Sequence, residues 1–501
     1  MRTALIIGGR GQSGRAIGER LAAEGWDVTS TTAGPLPEPA TTAGVRWVGL
    51  ARDEVADLTA VVRSDIDLVV DVTAYTPAHA EQLIALGNRV SAAIVMSTLS
   101  VYSDEGGRSL DEATDEATFP TWPVPIPEDW ATLPPGDGSY STRKVAVERA
   151  LRERAPWPVT IVRPGAIHGH HSHHLREWYF IKRVLDGRRQ VVLPFEGTSV
   201  FQPTATANLA ELVTLAADRP GNRTLNCGDL DPPSVAEISA IVDDLMHWST
   251  ERVLVTGPEP APTVGNHPWA VPRPVVADMR RARAELGYRQ ATSYAEAITD
   301  TLAWALEVST GRDWRQVFPT LAGYPTELFD YQAEDAYLAG TTAPRVDEVA
   351  TITRLRHHTS RGDGSSMGQA KVEGEIAAGI DDVWKVVGDF VAFISIQGLQ
   401  VEGEGEGIGM LRTLTIGTMT IVERLEELDD AQYKTSYSIV SGPIPVTDYL
   451  GTIQLTAAGE ATKVTWSGTF EPDGVTEEQA AQMTERTYRG GIKALQKHFG
   501  G

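Results

Sequence analysis

One cysteine, Cys227, occurs in 501 residues. A single thiol cannot close an intrachain disulfide or build a thiolate metal site, so a reducing, cytoplasmic compartment is expected. Lysine is almost missing from the first two thirds of the chain, where Lys144 and Lys182 are the only two before residue 341. No run of about 18 apolar residues occurs, so no membrane-spanning helix is expected. Positive charge is in deficit, with 44 Lys and Arg against 67 Asp and Glu, a formal net charge of −23. Such a field repels phosphate backbones and anionic lipid, which argues against nucleic acid or a membrane surface as partner. The amino terminus has one early Arg, a short apolar run and then glycines, without a signal peptide's cleavage region.

The chain is too long for one ordinary core, since domains average about 150 residues. Up to about residue 340, short apolar runs alternate with helical patterns, the sequence form of βαβ units on a parallel sheet. Expected strands are Ala4–Ile7, Trp26–Ser30, Val45–Val48, Leu68–Val72, Ala93–Met96 and Val159–Val162, with helices over Gln12–Ala23, Ala78–Gly87 and Tyr140–Arg154. The proline-rich stretch Phe119–Gly138 reads as an irregular surface excursion. Residues 341–367 turn polar and suit a linker. From 368 to 501 apolar and polar residues alternate in segments such as "TMTIVERLEEL" and "TKVTWSGTFEP", and a helix over Glu477–Phe499 closes the chain. This reads as an antiparallel sheet with a helix.

Chemistry concentrates in the first module. Gly8, Gly11 and Gly14 form G-x-x-G-x-x-G between an apolar strand and a helix, where glycine lets the backbone turn and approach a pyrophosphate at the helix N-terminus. Tyr140 and Lys144, in "YSTRK", lie four residues apart on one helix face. A phenol beside an ammonium can serve as acid or base. Ser97, Thr98 and Ser100 follow a strand whose C-terminal end should border a cleft. The second strand ends in "VTSTTAG", without the carboxylate that holds the ribose hydroxyls of NAD. Its hydroxyls would tolerate a 2′-phosphate, and Arg10 can add a bidentate fork. These features predict NADP(H) in preference to NAD(H). The histidines of "HGHHSHH" at 168–174 could bind metal or line a substrate cleft; with no carboxylate or cysteine ligands nearby in sequence, no metal is expected.

On the glycine motif, "STLSVY", the Tyr140/Lys144 pair and "VRPGAIHG" at 162–169, residues 1 to about 310 resemble the extended short-chain dehydrogenase/reductase family, which includes the NAD-dependent epimerase/dehydratases. The resemblance implies a Rossmann doubly wound parallel sheet with a small substrate subdomain. It makes Thr98 the residue that orients the substrate oxygen and Tyr140 the acid/base. Lys144 would lower the Tyr140 pKa and hold the nicotinamide ribose. The cofactor set it implies is Gly8, Arg10, Gly11, Gln12, Gly14, Thr31, Thr73, Ala74, Lys144, Pro164 and Ile167. Ser100, His168 and Arg273 would touch substrate, Arg273 through a phosphate. The family's dehydratases carry Asp-Glu after the Thr, where this chain has Leu99-Ser100. The short stretch between Asp71 and Ser97 leaves little room for the epimerases' Asn-x-x-Gly-Thr helix.

The second module resembles the polyketide cyclase/dehydrase group of the START/Bet v 1-like (SRPBCC) superfamily, through "IAAGIDDVWKVVGDF", "GEGIGMLRTL" and "SYSIVSGPIPVTDYLGTI" in order. That implies an α+β helix-grip fold around an apolar cavity. Arg412, Glu423, Tyr437, Asp448 and Tyr449 lie on expected strands, where they face either the cavity or the outer surface. A carboxylate and a tyrosine facing inward could handle enolisation, aldol closure or dehydration. The resulting expectation is an NADP(H)-dependent reductase fused to a module that binds, cyclises or dehydrates a hydrophobic small molecule, in secondary metabolism and possible as a homo-oligomer. A nucleotide-sugar epimerase/dehydratase and an inactive cofactor or ligand sensor are the alternatives.

Overall fold

A computed structural model describes residues 1–36, 41–54, 58, 62, 65–346, 368–397, 399–405, 407–416, 419–442, 446–459, 461–472 and 477–500. Most of the expected linker, 347–367, lies outside the described residues. The chain divides into two compact units, Met1–Ser360 and Arg361–Gly501.

In the first unit the apolar runs become β1 (Thr3–Ile7), β2 (Asp27–Thr32), β3 (Thr41–Thr42), β4 (Val45–Gly49), β5 (Ile66–Asp71), β6 (Val90–Met96), β7 (Val159–Pro164), β8 (Ala166–His168), β9 (Gln190–Leu193), β10 (Pro203–Ala205) and β11 (Arg223–Cys227). Eight of them form a sheet in the order β11-β7-β6-β5-β1-β2-β4-β3, parallel throughout except for β3 at the edge, and β8 pairs with β10 apart from it. Crossover helices cover both faces, which is why the strands are apolar on both sides. Helices α1 (Gln12–Ala23), α2 (Pro77–Ile84), α3 (Tyr140–Arg154) and α5 (Thr206–Asp218) supply the cover, while α4 (Trp178–Leu185) packs elsewhere. Ile17 and Leu21 of α1 and Leu209 and Val213 of α5 pack on Ile6, Val70 and Ile94. On the opposite face Leu83 of α2 and Val147 and Leu151 of α3 meet Leu5, Val69 and Val95. Neighbouring residues of one strand thus feed two cores.

Strand order reverses between β1 and β5, where Ile7 pairs with Asp71, and open α/β sheets bind ligands at such a crevice. Strand β2 runs two residues beyond its expected end because its pairing with β4 continues to Thr32 opposite Gly49. Helix α2 is only eight residues long, as the short Asp71–Ser97 stretch suggested. The proline-rich segment is not a loose excursion. Phe119, Trp122 and Ile126 are buried with Leu99, Tyr102, Val271 and Val275 in a small core of their own. Strands β9, β12 (Glu251–Leu254) and β13 (Arg345–Val346) make the sheet of a small subdomain, whose core includes Tyr179 and Ile181 of α4 and Trp269.

The second unit is a seven-stranded antiparallel sheet in the order β14-β20-β19-β18-β17-β16-β15. Its strands are β14 (Gly368–Ile376), β15 (Gln400–Glu404), β16 (Leu411–Ile416), β17 (Met419–Asp429), β18 (Lys434–Ser441), β19 (Val446–Ala458) and β20 (Ala461–Pro472). Helix Glu477–Gly500 lays Tyr488, Ile492 and Leu495 into the core formed with Ile453, Trp466 and Phe470. A Cβ at Gly468 would fall 2.1 Å from the Tyr488 hydroxyl, so this glycine is what lets the helix seat against β20. The arrangement is a helix-grip fold.

Candidate active site

Tyr140 and Lys144 owe their position to the cap of α3. Ser139 Oγ accepts from Thr142 N at 3.2 Å, and Thr142 Oγ1 accepts from Ser139 N at 2.9 Å. This reciprocal box fixes the first turn, so both residues face the C-terminal ends of β5 and β6. Lys144 is 2% exposed. Its Nζ donates to the carbonyls of Ala74 at 3.0 Å and Met96 at 2.7 Å, and lies 4.8 Å from the Tyr75 ring and 5.8 Å from the Tyr140 ring. Burial pulls its pKa down to about 8, against the opposing pull of Asp71. One turn further along α3, Glu148 holds Arg163 of β7 at 2.7 and 3.0 Å and ties the helix to the sheet.

The expected lowering of the Tyr140 pKa finds no cause among its neighbours. The side chain is 41% exposed, and partial desolvation of its phenol pushes the pKa up to about 12, with only the Thr98 hydroxyl pulling the other way. The Lys144 ammonium is occupied by two backbone carbonyls. Thr98 belongs to a chain of hydroxyls: Ser100 Oγ lies 3.1 Å from Thr98 Oγ1 and 2.8 Å from Ser141 Oγ. Ser141 Oγ is also 2.7 Å from Asp111 Oδ1. A carboxylate only accepts, so Asp111 anchors the chain by taking a hydrogen bond from Ser141, at the end remote from Thr98.

These groups open on a cleft of about 370 Å³. Gln12, Thr98, Ser100, Tyr140, Pro164 and Ile167 line it, with His174 from the histidine run and three residues the sequence did not single out, Asp111, Arg176 and Phe201. Asp111 and Phe201 carried no signal, being far in sequence from every motif. His174 was visible only as one of a run of histidines; burial, with Arg176 nearby, pulls its pKa down to about 3, so it stays neutral at neutral pH.

The residues present fit a nicotinamide dinucleotide. A Cβ at Gly14 would fall 2.5 Å from the Gly8 carbonyl oxygen, while one at Gly11 would meet nothing closer than 3.9 Å. The turn is thus closed on the inside and open on the face a pyrophosphate approaches. No side chain caps the N-terminus of α1, so its amides are free to point at an anion. Gln12 Oε1 is buried without a hydrogen-bond partner. Arg10 Nη1 donates to the Pro35 carbonyl at 2.8 Å, just past the end of β2.

Several expected site residues have other duties. Thr31 Oγ1 accepts from Gly8 N at 3.2 Å and braces the glycine turn. Thr73 N donates to Asp71 Oδ1 at 2.9 Å, and that carboxylate also holds buried Arg52 at 2.7 Å. His168 does not touch the cleft; it is 2% exposed with Nε2 3.2 Å from Asp229. Burial works to lower its pKa, but the Asp229 bond and the Glu177 charge outweigh it and raise it. Arg273 Nη1 donates to the carbonyls of Glu116 and Phe119, at 3.0 and 3.2 Å, and so fastens the proline-rich segment. Among the described residues no group of three or more His, Cys, Asp or Glu is placed to hold a metal ion, and no helix is long and apolar enough to cross a membrane.

In the second unit Arg412, Glu423 and Tyr449 all turn inward. Arg412 Nε donates to Glu423 at 2.6 Å and its Nη1 to the Phe390 carbonyl at 2.6 Å. The Tyr449 hydroxyl sits 3.2 Å from that of Tyr437 and 2.7 Å from that of Tyr488. Trp466 Nε1 donates to Tyr437 at 3.1 Å. Burial pushes the Glu423 carboxyl up despite Arg412. Tyr488 and Trp466 were not singled out in the sequence. The side chain of Asp448 lies outside the described residues.

A doubly wound sheet with a glycine turn at its switch point and a Tyr/Lys pair over the crevice defines a Rossmann-type, nicotinamide-nucleotide-dependent domain. Residues 4–228 match the model of the NAD dependent epimerase/dehydratase family, and residues 367–500 match that of polyketide cyclase / dehydrase and lipid transport. The chain therefore joins an NAD-dependent epimerase/dehydratase family domain to a polyketide cyclase/dehydrase family domain. No curated protein matches it. Among solved structures, the protein XoxI from Bacillus cereus is 34% identical over 26% of this chain and 96% of its own, with a TM-score of 0.25. MoeE5 in complex with UDP-glucuronic acid and NAD is 20% identical over 61% of this chain and 99% of its own, with a TM-score of 0.46. The UDP-glucuronic acid 4-epimerase from Bacillus cereus is 16% identical over the same shares, 61% and 99%, with a TM-score of 0.46.

Proposed function

We propose that the first domain is an NADP(H)-dependent reductase or dehydrogenase of a small carbonyl or alcohol substrate, and that the second domain binds the product and cyclises or dehydrates it. The observation that carries the reading is the convergence of Thr98 and Tyr140 on one cleft beside the N-terminus of α1, with Lys144 buried next to the Tyr140 ring. Gly8, Gly11, Gly14 and Gln12 would cradle the pyrophosphate, Lys144 and Ala74 would border the nicotinamide ribose, and the cofactor supplies or accepts the hydride. In reduction, Tyr140 Oη gives its proton to the substrate oxygen. Thr98 holds that oxygen in line, and the hydroxyl chain through Ser100 and Ser141 keeps Thr98 in one orientation. The raised phenol stays protonated at neutral pH, which suits the acid role. In the second domain, Glu423 and the linked tyrosines are groups able to move a proton at an enolisable carbon.

The NADP(H) preference rests on the hydroxyl-only end of β2 and on Arg10 lying over it. Titration of the chain with NADPH and NADH should give at least tenfold tighter NADPH binding, and Arg10→Ala should erase most of the difference. Tighter NADH binding overturns that part. The activity itself is tested by untargeted mass spectrometry of cell extracts incubated with NADPH and either the wild type or Tyr140→Phe. A product two hydrogens heavier that needs Tyr140 supports the reading. If only isomers form, with no net NADPH consumption, the domain is an epimerase instead. A second product that disappears in Tyr449→Phe, while the first accumulates, assigns the second step.

A further inference from the structure

We propose that the Tyr140 cleft selects a substrate bearing a carboxylate or phosphate group, and that Arg176, in the segment leading into α4, receives that group. The inference rests on the reading of this cleft as the substrate site and narrows its substrate class.

The buried arginines of this domain each have a carboxylate partner: Arg52 with Asp71, Arg163 with Glu148, Arg183 with Glu334 and Arg252 with Asp243. Arg176 lines the cleft with Tyr140 and Thr98, yet among the described residues it makes no side-chain hydrogen bond or ion pair. What holds it is aromatic: its guanidinium carbon lies 5.8 Å from the ring of Phe201 and 5.8 Å from that of Trp269. Contacts of that kind position the planar group while leaving its N–H donors unused. The buried Trp269 Nε1 also lacks an acceptor.

Neighbouring charges do not answer Arg176. Glu177, the nearest acid in sequence, accepts instead from the Tyr294 hydroxyl at 3.1 Å. Asp111, the acid lining the cleft, is taken by Ser141 N and Oγ at 3.0 and 2.7 Å. Burial pulls the Arg176 pKa down, only partly opposed by Glu177 and Tyr324. Arg176 is half-buried at the cleft wall, so its unused N–H donors face the space a ligand would take. A planar fork is relieved best by a planar carboxylate or a phosphate bound through two donors. The chain's net charge of −23 repels anions at long range, so a specific cation inside the cleft is what would admit one.

The test uses full-length protein and three probes of similar size: phenylacetate, phenyl phosphate and neutral 2-phenylethanol. They are titrated calorimetrically with NADPH present, so that the pyrophosphate cradle is not the site read, and phenylacetate is repeated without it. Wild type should bind at least one anionic probe ten or more times more tightly than the alcohol, and the tighter of the two tells carboxylate from phosphate. Arg176→Gln should abolish the preference while NADPH binding stays unchanged, which shows the variant is folded, and Arg176→Lys should keep part of it. Equal binding of the neutral probe, or a preference that survives in Arg176→Gln, overturns the proposal. Tyr140→Phe should leave probe binding intact, so failure of the redox reading is seen separately, in turnover.

Discussion

Replacing Lys144 by Met should change how stability depends on pH, by an amount the burial of the ammonium sets. In the folded chain the group titrates near 8, against 10.5 when unhindered, because its 2% exposure strips it of water. The difference corresponds to about 3 kcal/mol of penalty on the charged form. Between those two pH values the unfolded chain holds the proton and the folded chain does not, so the unfolded state binds more protons and stability rises with pH. The penalty is complete below about pH 8 and gone above about pH 10.5. Urea unfolding of cofactor-free wild type and Lys144→Met at matched pH, from 6.5 to 10.5, cancels every other titrating group. The wild type should gain about 3 kcal/mol relative to the variant across that window. The variant should also lose turnover by at least a hundredfold. A stability difference that stays flat from pH 7 to 10.5 would refute the picture of a charged, desolvated lysine held by the Ala74 and Met96 carbonyls.

Tyr140→Phe should lower turnover by roughly 10²–10⁴-fold with cofactor affinity unchanged by titration. Because desolvation raises the Tyr140 phenol to about 12, its acid form persists from pH 6 to 9, and a fall in carbonyl reduction within that range should follow Lys144, which titrates near 8. Alcohol oxidation, which needs the phenolate, should climb with pH over the same range. Gly14→Ala places a Cβ 2.5 Å from backbone oxygen; it should cost about 1–3 kcal/mol and abolish dinucleotide binding in a fluorescence titration. In the second domain, Arg412→Met strands the buried Glu423 and should destabilise by about 3–5 kcal/mol. Adding Glu423→Leu should recover most of that in thermal unfolding, and no recovery would mean the pair is not what holds β16 to β17.

Much of the fold was legible because it is written locally. Apolar runs of four to seven residues between helical patterns specify buried parallel strands, and Gly14 is needed wherever that turn forms, since its Cβ has nowhere to go. The Tyr140/Lys144 spacing means one face of α3 in any context that keeps the helix. Thr31 and Arg273 show the limit. Their types suit ligand binding, but the nearest acceptor or donor in space proved to be Gly8 N for one and the carbonyls of Glu116 and Phe119 for the other.

By itself the sequence determined the two modules, the doubly wound sheet, the glycine turn and the Tyr140/Lys144 pair, because each follows from periodicity or from residues within one turn of helix. Only tertiary structure decided that His168 belongs to the core and Arg176 to the cleft, although both come from the same stretch of chain. It also set Arg412 opposite Glu423 across β16 and β17, where a one-residue slip would have turned both outward. Whether an arginine finds a carboxylate, a carbonyl or nothing depends on elements far away in sequence. Arg163, Arg273 and Arg176 met those three outcomes in turn, and the third is where a ligand has room to act.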